Sequence, residues 1–318
     1  MKFIGLVHQI PGWCSMADNN DIIYNGELVS PKVLRKRASV FLLPGLLWIG
    51  FFLALPCFGL IAVSFAERSE YGAVDWIFTF ENMKRLVGFD LFGWSADNFW
   101  ILARSVMVAA VSTGLCIALS YPLAFFLASR PARTKGVWMA LLLVPFWTNL
   151  VIRTYAWLIV LAPQFPPAHF AARFGWIQPG APLYPSMIAV YIGMVSTFLP
   201  FVALPLYTAV DKLDWSLVEA SRDLRAGFFR TFRHAIWPQT KAAVAVGITL
   251  TLVPAMGMFV VPDMLGGAKY MLIGNLIQQQ FGTSRDWPFG ASLSLALMAI
   301  TLASLLLFNR NSEKGGVQ

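Results

Sequence analysis

The 318-residue sequence predicts an all-α polytopic membrane protein with six transmembrane helices. Three observations carry this. Apolar residues make up 58% and charged residues only 13%, against about 25% charge in an average soluble domain. Charge-poor runs long enough for a bilayer recur six times along the chain. The basic residues also concentrate on one side of those runs. A net charge of +8 would suggest nucleic acid in a soluble protein. Here the charge is sparse and the chain is greasy, so the expected surroundings are membrane lipid, with no nucleic-acid partner.

A hydrocarbon core of about 30 Å takes roughly 20 apolar residues in a helix. Residues 1–37 read as a cytoplasmic N-terminal tail. Lys2 is followed by only a short apolar run, which Pro11 and Gly12 interrupt, so no signal peptide is expected and Met16 is an alternative start. The first span is 38–66 and the second 105–129. The third, 136–162, is broken only by Arg153. The fourth is 186–210, the fifth 242–262 and the sixth 289–309, with a C-terminal tail at 310–318. An alternating pattern of the kind that marks a barrel strand is absent. Cys14, Cys57 and Cys116 have no metal-ligand spacing, and His8, His169 and His234 are scattered, so free thiols and no metal are expected.

Orientation follows from the excess of Lys and Arg in cytoplasmic loops. With both termini inside, 16 of the 24 basic residues fall on the inner side and the acidic residues split evenly. The inner face then carries the whole excess and the outer face is neutral.

Prolines within spans remove backbone donors and kink helices. Pro200 and Pro205 lie in span four, and Pro254 with Gly257 in span five, which marks these two as a moving or pore-lining pair. Trp147, Tyr155 and Trp157 cluster around the break expected at Pro145. Ammonium groups are drawn to such aromatic faces by about 0.5–2 kcal/mol. Arg153 is the clear intramembrane charge, a functional flag. Three roles are open to it: snorkelling outward, pairing with Asp263, or holding spans three and five together. Asp263 ends span five on the outer side, where a cation would enter.

The inner loop 211–241 is long and has helical spacing. Leu213, Leu217, Ala220 and Leu224 form one stripe, with Asp214 or Ser216 able to cap it. Phe228, Phe229, Phe232 and Ile236 form a second apolar run. Two short amphipathic helices meeting near Arg225-Ala226-Gly227 are expected. They lie on the membrane surface or dock into another protein.

Glu219-Ala220-Ser221, Gly227, Ile236 and Pro238 resemble the EAA loop of ABC-importer permeases. Over about 38–308 the chain is similar to the spermidine/putrescine permeases. The matching stretches are Pro145-Phe146-Trp147-Thr148-Asn149 with Ile152-Arg153-Thr154-Tyr155, the 219–238 loop, Pro254-Ala255-Met256-Gly257, Asp263-Met264-Leu265-Gly266-Gly267-Ala268-Lys269 into Leu272-Ile273-Gly274-Asn275, and Arg285-Asp286-Trp287-Pro288-Phe289-Gly290-Ala291. One position departs: the family's glycine, six residues after the glutamate, is Arg225 here. Either Gly227 takes over the turn or the helix ends differently.

The resemblance implies a type I ABC importer permease fold in the bacterial inner membrane. It implies a coupling helix that meets an ATPase through Glu219, Ala220, Ser221, Asp223, Leu224, Gly227 and Phe232. The implied partners are a second permease subunit, two ATPase subunits and a periplasmic substrate-binding protein. ATP and Mg2+ belong to the ATPase, and no cofactor is expected on this chain. The substrate implied is a polyamine or related cationic amine, with an opine or amino-acid derivative as the alternative. Trp147, Asn149, Tyr155, Trp157 and Asp263 are the pathway candidates; Arg153, Pro200, Pro205, Pro254 and Gly257 are the structural and gating ones. No catalytic residue is expected: the chain lacks a P-loop, and Gly266-Gly267-Ala268-Lys269 has the wrong spacing. A stand-alone transporter would need acidic or histidine relays in its spans, and an intramembrane enzyme would need more than Arg153 near the midplane.

Overall fold

The computed structural model describes residues 22–24, 27–29, 31–69, 72–90 and 93–314. Much of the expected N-terminal tail, with Met1 and Met16, lies outside the described residues, as does 315–318 of the C-terminal tail. The chain divides after Gly59 into two units. The first holds a small hairpin, β1 (Ile22–Tyr24) with β2 (Glu27–Val29), and most of helix α1 (Pro31–Ser64). Its Trp48 and Phe52, one helical turn apart, pack tilted against each other with ring centroids 4.6 Å apart.

The second unit begins at the end of α1. A hairpin, β3 (Glu67–Arg68) with β4 (Val74–Asp75), leads to α2 (Glu81–Val87). A second hairpin, β5 (Phe89–Asp90) with β6 (Gly93–Trp94), leads to α3 (Asp97–Ala128). Then come α4 (Ala132–Trp147), α5 (Leu150–Val160), α6 (Pro166–Arg173) and α7 (Met187–Asp211). The inner segment forms α8 (Trp215–Asp223) and the single turn α9 (Phe228–Thr231). The latter passes through a wide π turn, Phe232–Ile236, into α10 (Trp237–Met256). Two further helices, α11 (Ile273–Phe281) and α12 (Trp287–Lys314), end the described chain.

Among the described residues five helices are long and apolar enough to cross a membrane, and the bent pair α4–α5 brings the number to six when it is counted as one span. Three departures from the expected spans have physical causes. Span three turns through 96° between α4 and α5, because Thr148 leaves the helix and Asn149 starts a new one. Its cap is local: the Asn149 side chain accepts a hydrogen bond from Val151 N–H at 2.8 Å. The helix that carries span five starts at Phe228, ahead of the expected residue 242. The second amphipathic stretch is therefore no separate helix, but the N-terminal extension of the helix that carries the span. The same span stops at Met256, short of the expected 262, two residues after Pro254 and beside Gly257.

The core of this unit is the trio α3, α7 and α10. Val108, Ala109 and Cys116 pack against Val190, Met194, Phe198 and Val202, and against Ala255 and Met256. Small residues let helix backbones approach closely, the main source of helix association in lipid. Gly193 shows how closely: a Cβ there would lie 2.6 Å from Leu265 Cδ1. Two hydrogen bonds pin the assembly, Tyr121 Oη with Thr240 Oγ1 and Trp157 Nε1 to Ser196 Oγ, both 2.9 Å. Such bonds contribute only about 0.6 kcal/mol each in a membrane, so packing leads and hydrogen bonding sets register. Helix α7 runs unbroken through Pro200 and Pro205.

Candidate functional site

The α4–α5 elbow lies deep. From Gly136, just past the last inner charge, to Trp147 is about 17 Å of helix, just beyond the middle of a core of about 30 Å. From the other end, Trp157 bonds Ser196, nine residues into α7 and so about 14 Å along that helix. By both measures α5 sits well within the length of its neighbouring helices, turned through 96° from α4. The carbonyls that the break releases need donors. Pro145 O receives two, Thr148 Oγ1 at 2.6 Å and Arg153 Nη1 at 2.8 Å. Arg153 is thus a brace across the elbow. The expected pairing with Asp263 is not formed: among the described residues the ion pairs are Arg68–Asp286, Arg85–Asp286 and Lys135–Asp211.

The pathway candidates divide. Trp147 is 82% exposed and Tyr155 57%, so both look away from this chain's own core. Asn149 is spent as a helix cap and Trp157 as the partner of Ser196. Asp263 is exposed, at the start of a second π turn, Pro262–Gly266. Beyond Met256 the chain breaks again, and Asn275 Nδ2 donates to the carbonyl of Phe259 at 3.0 Å. A cavity of about 540 Å3 opens beside this break, lined by Gly257, Phe259, Gly274, Gln278 and Leu297. The gating candidates Pro254 and Gly257 therefore sit at a break that borders open space.

The inner segment forms a firm platform. Asp214 caps α8 by accepting from Ser216 N–H at 3.0 Å. Leu213 and Val218 pack on Ala235 and Ile236, with Phe125 of α3 and Phe232 against them. Gln239 Oε1 accepts from Asp214 N–H at 2.9 Å. The π turn has a cause in Pro238, whose ring would strike the carbonyl four residues back in a regular helix. Its signature is Trp237 N–H bonding Phe232 O, five residues back.

The turn after α8 resolves the departure at Arg225. Arg225 itself adopts φ 55°, while Gly227 is extended with φ −68°. The glycine position of the motif keeps its left-handed turn although arginine fills it. Of the coupling candidates, Glu219, Ala220, Asp223, Leu224 and Gly227 are exposed. Ser221 and Phe232 are half-buried: Ser221 Oγ donates to Thr231 Oγ1 at 3.0 Å, and Phe232 packs edge-on to Tyr121 at 5.2 Å. Phe228 and Phe229, at 86% and 74% exposure, stand beside the exposed set. Their place in the second apolar run was the available signal.

Sequence reasoning missed Asp286. It is 2% exposed and holds Arg85 Nη1 at 2.9 Å, with Arg68 at 3.9 Å. Its other oxygen accepts from Phe289 N–H at the start of α12. The partners lie about 200 residues away in sequence, so no local pattern announces them.

Residues 120–311 match the family described as "Binding-protein-dependent transport system inner membrane component". The spermidine/putrescine transport system permease protein PotB of Escherichia coli (strain K12) is 39% identical over 266 residues, covering 84% of this chain and 94% of that protein. Among solved structures, a bacterial ABC transporter involved in the import of the acidic polysaccharide alginate is similar. It has a TM-score of 0.66 at 16% identity and covers 89% of this chain and 98% of that one. A second structure, of the bacterial alginate transporter in complex with a pentasaccharide-bound periplasmic protein, matches with a TM-score of 0.60 at 15% identity over 89% and 96%.

Proposed function

Because the chain belongs to the family of binding-protein-dependent transport system inner membrane components, we propose that it forms half of an import pathway for polyamines such as putrescine and spermidine. It is a multi-pass permease component of an ABC importer of the inner membrane. The observation that carries the pathway reading is the exposed elbow. Irregular backbone at mid-depth is tolerated only against protein or a water-filled cavity, never against lipid tails. This chain leaves the elbow uncovered, so a second permease subunit faces it across the path. Trp147 and Tyr155 then offer ring faces to an ammonium group.

The other partners follow the same logic. Leu224, Phe228 and Phe229 are exposed on the inner side, where a water-facing apolar cluster needs a cover. Two ATPase subunits, which carry ATP and Mg2+, supply it, one on this chain and one on its partner. Platform and spans share the Leu213–Val218–Ile236 cluster, so ATPase movement reaches α3 and α10 directly and switches access from outside to inside. A periplasmic binding protein delivers the substrate. Both termini are cytoplasmic, as the inner excess of positive charge requires. The polyamine class rests on the named relative and on the absence of excess positive charge outside.

Uptake of labelled putrescine and spermidine by the reconstituted complex tests the reading. Saturable uptake that depends on ATP and is lost in Glu219→Arg is expected. If neither amine is taken up or competes, the substrate class is wrong; if uptake persists without the ATPase, the importer reading is wrong.

A further inference from the structure

The segment joining α1 to α3 carries an aromatic surface that transport does not explain. Trp76, Phe78, Phe80, Phe89, Trp94 and Trp100 are each between 57% and 74% exposed. These rings are fixed outward by a polar frame on the inward side. Asn82, 5% exposed, donates from Nδ2 to Ser64 O at 3.1 Å and Ala66 O at 2.8 Å, which ties α2 to the end of α1. Arg85 reaches Asp286 and lies 4.2 Å over the ring of Phe289, tying α2 to α12. Asn98 Nδ2 donates to Arg85 O at 2.8 Å, tying α2 to α3. Gly88, at φ 103°, lets the chain fold back sharply; a Cβ there would overlap the carbonyl oxygen of Ser95. The rings of Phe65, Phe78 and Phe80 support one another at 5.1–5.6 Å. Such a frame cannot rotate to hide the outer rings.

We propose that residues 76–90 and 93–100 form an interfacial foot whose partner is the lipid surface of the outer leaflet, with its rings set at headgroup depth. The foot starts 12 residues after the last residue of α1, and its far end, Trp100, already belongs to the bilayer-crossing helix α3. The aromatic surface is therefore continuous with the membrane. Trp at a span's end is characteristic of an interface, where its apolar ring body and its wet N–H edge are both accommodated, and the Phe rings add apolar face alongside. Lys84 and Arg85 stand against Glu81, Asp90 and Asp97, so the segment has no positive excess and its lipid attachment needs no anionic headgroup. Clamped to three span ends, the foot sets the depth and tilt of the bundle. This rests on the chain spanning a membrane and is independent of the substrate.

The test is nitroxide accessibility in the assembled complex, reconstituted in purely zwitterionic phosphatidylcholine vesicles. Labels go on Trp76→Cys, Phe78→Cys and Phe89→Cys, with Gln178→Cys in an exposed outer loop as the aqueous reference and Leu141→Cys on α4 as the buried-depth reference. Oxygen accessibility relative to a water-soluble nickel chelate should exceed the Gln178 value several-fold at all three foot positions. Nickel accessibility equal to Gln178 overturns the foot, as does shielding of the three sites when the soluble binding protein is added. If Leu141→Cys is also nickel-accessible, the membrane reading itself has failed. A second measurement uses native fluorescence. Brominated lipid should quench the wild type more than the variant with Trp76, Trp94 and Trp100 all changed to Phe; equal quenching overturns the proposal.

Discussion

Arg153 donates to the carbonyl of Pro145, eight residues earlier and across a bend of 96°. The bond joins the end of one half-helix to the first turns of the next. Arg153→Ala leaves that carbonyl to Thr148 alone. A charge-assisted bond of this kind contributes roughly 1.5–3 kcal/mol. The expected result is a lower melting temperature of the complex and a severe loss of uptake. Arg153→Lys, which keeps one donor, should restore part of both.

Arg225 holds a left-handed turn that glycine adopts freely. The strain on an L-residue there is about 1 kcal/mol. Arg225→Gly should stabilise the complex by about that amount in thermal melts, with uptake retained. Arg225→Val should lower stability, because a branched Cβ fits this region worst.

The Asp286 cluster predicts an order of effects. Removing one member of a buried pair destabilises by roughly 3–5 kcal/mol when the other stays dry. Arg85 retains 29% exposure and regains water, so Asp286→Ala should lose about 2 kcal/mol. Arg85→Ala should lose more, because it leaves the buried Asp286 carboxylate with only Arg68 at 3.9 Å as counter-ion. Arg68→Ala, at 3.9 Å and 48% exposed, should lose under about 0.5 kcal/mol. Melting of the three purified variants checks the ranking.

The inner platform separates docking from folding. Leu224→Asp and Phe228→Asp change exposed side chains, so stability should stay within about 0.5 kcal/mol. ATPase co-purification should nevertheless be lost. Phe232→Ala opens the packing on Tyr121 and should destabilise the chain by about 1–3 kcal/mol, below the full core value. Melting and pull-down together tell the two classes apart.

Most of the architecture was legible because bilayer spans are written in the absence of charge, over stretches such as Met187–Asp211 that no short-range effect can disguise. The elbow was half legible. Pro145 announces a break, but the sharp turn at Thr148 and Asn149 depends on a hydrogen bond from Arg153, whose partner is a backbone atom without sequence identity. At the inner boundary the stripe through Phe232 and Ile236 fits a docked helix and the N-terminal extension of a span helix equally well. Only the continuity of the chain into Trp237 decides. Asp286 was invisible because burial and two arginines arrive from segments joined only in three dimensions.

The π turn at Phe232–Ile236 has a consequence for angular phase. Buried positions run Thr231, then Ala235 and Ile236 side by side, then Thr240 and Val244, so the line through Thr231 and Ala235 is handed on by one residue to the line through Ile236 and Thr240. The extra residue advances everything after it by about 100° around the helix axis. Thr240 thereby meets Tyr121, while Gln239, which would otherwise fall on the buried line, swings to Asp214. A single-residue deletion between Phe232 and Ile236 would unset both contacts at once, though it removes neither pair. Pro238 bars the turn from tightening, so the azimuth between platform and span is locked, and the two turn as one shaft.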